Sequence, residues 1–149
     1  MFTVTGSVFL TAPKGNVTLG RVETLGGDVL VQSAGGISGD FNTSNGVNDG
    51  GNVTLIAQNG DLLVNVDTSS SYYSSYGIPS VAVASGNGGN VTLSTVNGNI
   101  NVYDRIKASS YSMRGGSGNG GNVTLSTLNG NINVAEEIDT FSYSGQGGS

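Results

Sequence analysis

Apolar residues in this chain alternate with polar ones in short runs, and the same runs return along its length. Asn122-Val123-Thr124-Leu125 alternates, Asn129-Gly130 turns, and Asn131-Ile132-Asn133-Val134 alternates again. Period two over four or five residues predicts short strands with one buried face. A third pair follows, Ile138 and Thr140, with counterparts at Val22/Thr24, Phe41/Thr43, Val66/Thr68 and Ile106/Ala108.

The runs belong to a repeat. Gly-Asn-Val-Thr-Leu occurs at 15–19, 51–55, 89–93 and 121–125, and residues 89–102 recur at 121–134 with only Val96 replaced, by Leu128. Looser copies begin at Gly6 and Gly27, so units start near 6, 27, 51, 89 and 121. Ser144-Gly145-Gln146-Gly147-Gly148-Ser149 copies the approach to the fourth and fifth units, so the chain ends at the threshold of a sixth.

Two architectures use such strands. Asn-Gly between alternating runs is a hairpin signal, which favours an antiparallel meander. Against it, the same inward residues return in the same order in every unit, which suits stacking each strand on its own copy. A body of about 20 residues with Gly and Asn corners fits one coil of a parallel β-helix. The reading is an all-β, right-handed parallel β-helix (a β-solenoid) of about five coils. Residues 1–149 form a single domain, with loops extruded from coils three and four.

Stacking fixes a register. Val17, Val53, Val91 and Val123 are expected in one inward ladder, Leu19, Leu55, Leu93 and Leu125 in another, and Thr18, Thr54, Thr92 and Thr124 outside. Aligning Val22, Phe41, Val66, Ile106 and Ile138 puts Glu23, Asn42, Asp67, Lys107 and Asp139 in one outward ladder. Its neighbour reads Arg21, Asp40, Asn65, Arg105 and Glu137. Lys107 is then set between two aspartates, Arg105 against Glu137 and Arg21 against Asp40.

Composition narrows the function. Gly, Ser, Asn and Thr make up just over half of the 149 residues, which excludes a helical protein. Leu, Ile, Val and Phe are still numerous enough for a lean core. With no His and no Cys, zinc clusters, disulfides, thiol chemistry and His-dependent triads are excluded, and no cofactor is expected. A net charge of −5 argues against nucleic acid or an anionic membrane as partner. The N-terminal residues have neither the basic nor the apolar region of a signal peptide, and no membrane-inserting segment is expected.

Tandem Gly-Gly-Asn-Val-Thr-Leu followed by Asn-Gly-Asn-Ile-Asn-Val resembles the repeats of filamentous-haemagglutinin-like exoproteins, above all the large cyanobacterial members with a haemagglutination-activity domain. The resemblance covers about 5–142. It implies a right-handed parallel β-helix, two-partner secretion, an extracellular or cell-surface location, and a structural or adhesive role as a segment of a longer exoprotein. It carries over no functional residues.

Candidate sites are few. Gly115–Val123 resembles a calcium-binding nonapeptide, but Gly120 stands where the ligating Asp belongs. Asp104 aligns with Glu136 as a carboxylate pair beside Arg105 and Glu137, the one feature suggesting a polysaccharide-active enzyme. Asn16, Asn42, Asn52, Asn90 and Asn122 fit the N-glycosylation pattern, which the alternation also produces unaided. The Tyr/Ser-rich tails have the composition of recognition loops, and Tyr72, Tyr73, Tyr76, Tyr111, Arg114 and Tyr143 are the candidate binding residues. Their expected partner is a glycan or a cell-surface protein, the alternative to a purely structural role. An uncapped last coil adds an expectation of end-to-end self-association.

Overall fold

In the computed structural model, which describes residues 2–73 and 83–145, the short alternating runs are strands and every paired strand runs parallel to its neighbour. No helix occurs among the described residues. The strands lie in three sheets of five, seven and three strands. Sheet I contains β2 (Val8–Ala12), β4 (Val29–Ser33), β6 (Val53–Ala57), β9 (Val91–Asn97) and β12 (Val123–Asn129), stacked in chain order. Sheet II contains β1 (Phe2–Thr3), β3 (Val17–Glu23), β5 (Ile37–Asn42), β7 (Leu62–Asp67), β10 (Ile100–Lys107), β13 (Ile132–Val134) and β14 (Ile138–Asp139). Sheet III contains β8 (Ser70–Tyr72), β11 (Ser110–Ser112) and β15 (Ser142–Ser144). Each of the five units adds to sheets I and II, and the last three also add a strand to sheet III, as in a β-solenoid.

Asn97-Gly98 and Asn129-Gly130 are corners between sheets I and II, not hairpin turns. The pairing of β9 with β12 and of β10 with β13 is parallel. Glycine is needed here because the units approach so closely. A Cβ on Gly98 would overlap the carbonyl of Gly60, and one on Gly130 the carbonyl of Gly98. Asparagine joins the corners along the stack. Asn52 donates its N–H to Asp28 Oδ1 at 2.7 Å, Asn90 to Asn52 Oδ1 at 2.9 Å, and Asn122 to Asn90 Oδ1 at 2.9 Å. Parallel ladders start at Asp61 (Asn99, Asn131) and at Asp49 (Asn87, Asn119). The last two are headed by an aspartate side chain, while the Asp28 amide carries the first ladder one rung further by donating to Ser7 Oγ at 3.1 Å. The rung before Asp61 presents Gly36, with no side-chain oxygen to receive an amide.

The core lies between the sheets. Val29, Val53 and Val91 form a buried ladder in sheet I, with Val8 and Val123 at its half-exposed ends. In sheet II, Val22, Phe41, Val66 and Ile106 are buried in register, and Ile138 completes the row. Buried hydroxyls close the corners. Thr43 Oγ1 donates to the Gly51 carbonyl and Thr68 Oγ1 to that of Gly89, while the amides of Gly51 and Gly89 return the bond to the threonine carbonyls.

Two expectations need correction. Val17 does not stack on Val53. It lies in sheet II, in register with Ile37, Leu62, Ile100 and Ile132, while the Val53 ladder continues to Val29 and Val8. The pentapeptide at 15–19 encodes an alternation, and alternation sets the buried face without naming the sheet. Leu19 likewise falls outside the Leu55 ladder, whose members are Leu10, Val31, Leu55, Leu93 and Leu125. Second, the Tyr/Ser tails are not wholly loops, because Ser70–Tyr72, Ser110–Ser112 and Ser142–Ser144 form sheet III. Their inward residues are serines held by carbonyls across the section. Ser70 Oγ donates to Asn48, Ser110 Oγ to Gly86 and Ser112 Oγ to Val83, at 2.7–3.0 Å. The pairs placed after the second strand are mostly its continuation in sheet II, as in β3, β5, β7 and β10.

Gly98→Ala should lower stability by about 3 kcal/mol, because backbone lies where the methyl must go. Gly20→Ala, with open space around it, should stay within about 0.5 kcal/mol in the same urea titration. Ala108 occupies the corner position held by Thr43 and Thr68, and its carbonyl already receives the Gly121 amide at 2.6 Å. Ala108→Thr should therefore add a hydroxyl bond to Gly121 and raise stability by about 1 kcal/mol, read as a shifted urea midpoint with unchanged slope.

Candidate functional site

Sheet III turns Tyr111 and Tyr143, partners in register, outward along its edge, and Tyr73 follows β8 directly. Tyr73, Tyr111 and Tyr143 stack, with ring centroids 5.2 and 5.0 Å apart. That spacing is the rung spacing of a sheet, and between Tyr111 and Tyr143 the stack follows from the register, whereas the register partner of Tyr111 in β8 is Ser71 and Tyr73 joins the stack from two residues further on. Stacking turns ring faces toward one another, leaving Tyr111 with neighbours on both sides. Tyr72 falls on the Ser112 and Ser144 row, off the ring stack, and Arg114 is exposed beyond β11. Tyr76 lies outside the described residues.

The second concentration of chemistry is on sheet II. The residues between the two apolar rows differ in number from unit to unit. Asn65 alone separates Val64 from Val66 in β7, whereas Tyr103, Asp104 and Arg105 separate Val102 from Ile106 in β10. The same excess recurs as Ala135, Glu136 and Glu137 between β13 and β14. Such bulges re-aim side chains, and this one sends Tyr103 back across two units, where its hydroxyl donates to Asp40. Asp40 pairs in register with Asn65, so the tyrosine strap crosses the Asn65 rung, and Asn65 Oδ1 is buried without a hydrogen-bond partner. Partial burial of the Tyr103 phenol, aided by the bond to Asp40 and by its charge, pushes its pKa up to about 12.

The expected outward ladder is present, with Glu23, Asn42, Asp67, Lys107 and Asp139 adjacent in register. Its ion pairing is only partly as expected. Arg105 meets Glu137 at 3.6 Å, and also Glu136 at 3.3 Å and Asp104 at 3.5 Å. Arg21 faces Asp40 in the backbone register but contacts Glu23, at 3.9 Å, while Asp40 receives Tyr103. The bulge explains the exchange, and nothing in the sequence alone sets the direction in which a three-residue bulge points. Lys107 makes no ion pair among the described residues. Partial burial pushes the Asp139 carboxyl up, Glu137 adds to this, and Lys107 opposes it.

Asp104 and Glu136 are neighbours, as aligned, with the Glu136 amide bonded to the Asp104 carbonyl at 3.0 Å. Arg105 bridges both carboxylates on a solvated surface, an arrangement that suits surface pairing. Of the glycosylation-pattern asparagines, Asn52 and Asn90 have their Nδ2 groups engaged in the corner ladder, each at 3.1 Å from its acceptor. Among the described residues, no cluster of three or more acidic side chains could hold a metal ion, and no helix is long and apolar enough to cross a membrane.

Compared with known protein families, curated proteins and solved structures, the chain matches none.

The strap sets a pH dependence. A phenol whose folded pKa is raised from 10.0 to about 12 contributes stability that is present below pH 10 and lost as pH rises between these values. Alkaline titration of phenolate absorbance should show one group ionising near pH 12, absent from Tyr103→Phe. That variant should also lose less stability than the parent across this window.

Proposed function

We propose that the chain is a right-handed parallel β-helix of about five coils with loops extruded from coils three and four. In this reading it serves as a non-catalytic structural and adhesive repeat segment of a secreted or surface-exposed, filamentous-haemagglutinin-like protein. The handedness follows the general preference of parallel crossover connections. The observation that carries the reading is the register kept along sheet I and at the corners. Valine lies on valine from Val8 to Val123 in sheet I, and asparagine on asparagine at the corners. A frame of this kind is extensible, since each unit presents to the next the edge it received from the last. The Gly-Asn-Val-Thr-Leu and Asn-Gly-Asn-Ile-Asn-Val strings that resemble the exoprotein family are those that build the ladders.

End-to-end association belongs to the same reading. Ile132 and Ile138, inward in their rows, are each 45% exposed on the edge of the fifth unit, and an unpaired edge is a template for another strand.

A second reading, a glycan- or protein-binding module, is favoured by the tyrosine stack and by the charged groove beside the Tyr103 bulge. Beads coated with the chain should attach to cell surfaces above beads coated with a shuffled-sequence control. Attachment no better than the control would overturn the adhesive role, and turnover of any member of a polysaccharide panel would overturn the non-catalytic one.

A further inference from the structure

Two open grooves meet on one side of the molecule and share Asp67 and Lys107. The first, of about 330 Å³, lies over sheet II beside the bulge, and the second, of about 590 Å³, lies where sheet II gives way to sheet III. Both volumes fall in the range of small-molecule sites, roughly 300–1,000 Å³. Each groove runs from the first unit, at Arg21 or Leu25, to the fourth, at Lys107. Three rung intervals give a path of ~14 Å across the strands.

Most polar groups in the second groove are already engaged by the fold. Ser69 Oγ donates to Asp67 Oδ1 at 2.6 Å, Ser44 Oγ to Asn42 Oδ1 at 2.6 Å, and Asn45 Nδ2 to the Leu25 carbonyl at 2.9 Å. Besides the Tyr73 hydroxyl, three groups remain uncommitted among the described residues: the Lys107 ammonium, Asp67 Oδ2 and the Ser71 hydroxyl. They share the groove with Tyr73, which is 67% exposed. Tyr73 ends the ring stack, with Tyr111 on one face and no other aromatic ring stacked on it among the described residues.

We propose that this groove binds a neutral oligosaccharide, with a pyranose packed on Tyr73 and its hydroxyls shared between Lys107 and Asp67. A sugar hydroxyl both donates and accepts, so it satisfies a carboxylate oxygen and an ammonium at once, while the C–H face of the ring suits an aromatic platform. The charge pattern selects the neutral class. Lys107 has Asp67 and Asp139 as its strand neighbours on both sides, and the whole chain carries −5, so an anionic sugar meets repulsion around the single cation. A cationic ligand meets Lys107 itself. The path length accommodates more than one sugar residue. This inference rests on the adhesive reading and names what the surface recognises.

The test is an array of neutral and acidic glycans probed with the whole chain and with Tyr73→Ala, Lys107→Met and Tyr143→Ala, all checked for an unchanged unfolding midpoint. Tyr143 lies at the far end of the ring stack and controls for loss of an aromatic ring in sheet III. The expected result is binding to neutral oligosaccharides that added salt leaves intact. It should be weakened about tenfold or more by Tyr73→Ala and by Lys107→Met, and unchanged in Tyr143→Ala. Should either groove variant fail to fold, Tyr73→Leu, which keeps bulk but removes the aromatic face, and Lys107→Gln carry the same expectation. Glycan binding indifferent to the groove variants would overturn the site while leaving the adhesive role standing. Binding confined to acidic glycans would overturn the ligand class. Beads that attach to cells after periodate oxidation of the surface sugars would overturn glycan recognition in favour of a protein partner.

Discussion

The distance at which one unit stacks on the next at its corners constrains everything else in this chain. Parallel strands pair at a fixed spacing along their length, but a corner has to turn at that same spacing with its backbone against the backbone of the unit before. Gly60, Gly98 and Gly130 meet this demand at the passage from sheet I to sheet II, where a Cβ on the later residue overlaps the carbonyl of the earlier. Gly27, Gly51, Gly89 and Gly121 meet it where a new unit begins. The turn would leave amides without ladder partners, and the asparagines and Asp61 beside the glycines accept them. The high Gly and Asn content of the chain is thus a backbone requirement of stacking.

With the corners set, burial follows by copying. A residue that packs inside one unit has its homologue at the same place in the next, so the interior is a set of rows: valine, leucine and isoleucine in sheets I and II, threonine and serine at the corners. The hydroxyls are buried without penalty because each donates to a carbonyl, Thr43 to Gly51 and Thr68 to Gly89. Sheet III carries this further, since its inward rows are serine except at Tyr72. Ser70, Ser110 and Ser112 are buried and bonded to the strandless Gly- and Asn-rich segments opposite.

This division explains what the sequence made legible. The rows of sheets I and II were readable because valine and leucine alternating with asparagine and threonine give a period-two signal. The charged ladder through Lys107 was readable because its alignment hangs on the Val66, Ile106 and Ile138 row. Sheet III was not, because Ser-Tyr-Ser has no apolar inward residue and reads as a recognition loop. Its signal was the recurrence of Ser-Tyr-Ser at 110–112 and 142–144, a spacing equal to that of the valines. Assignment of 15–19 to sheet I failed for the complementary reason. The pentapeptide is the same in either sheet, and only the strand before it, β2, shows that a sheet I position is already filled. The bulge was legible as extra residues in the fourth and fifth units, but not as a strap, because the reach of Tyr103 to Asp40 depends on which way the extra backbone swells.

Repetition also limits where recognition is written. Equal units present equal surfaces, so a row of identical threonines or asparagines distinguishes no position along the stack. Distinct chemistry arises only where units differ in length or in residues that the frame leaves unassigned. Here those differences fall together. The third unit passes Asn65 where the fourth inserts Tyr103, Asp104 and Arg105, and the same two units supply Asp67, Tyr73 and Lys107 to the adjoining groove. Arg105 is held by three carboxylates and Asp40 by Tyr103, whereas Lys107, placed between two aspartates along the stack, reaches neither. An ammonium so placed adds nothing to a corner, a row or an ion pair. In a chain whose buried polar groups are almost all satisfied, that half-buried surplus beside an exposed aromatic face is the feature the frame does not account for, and it is where a partner would find something left to bind.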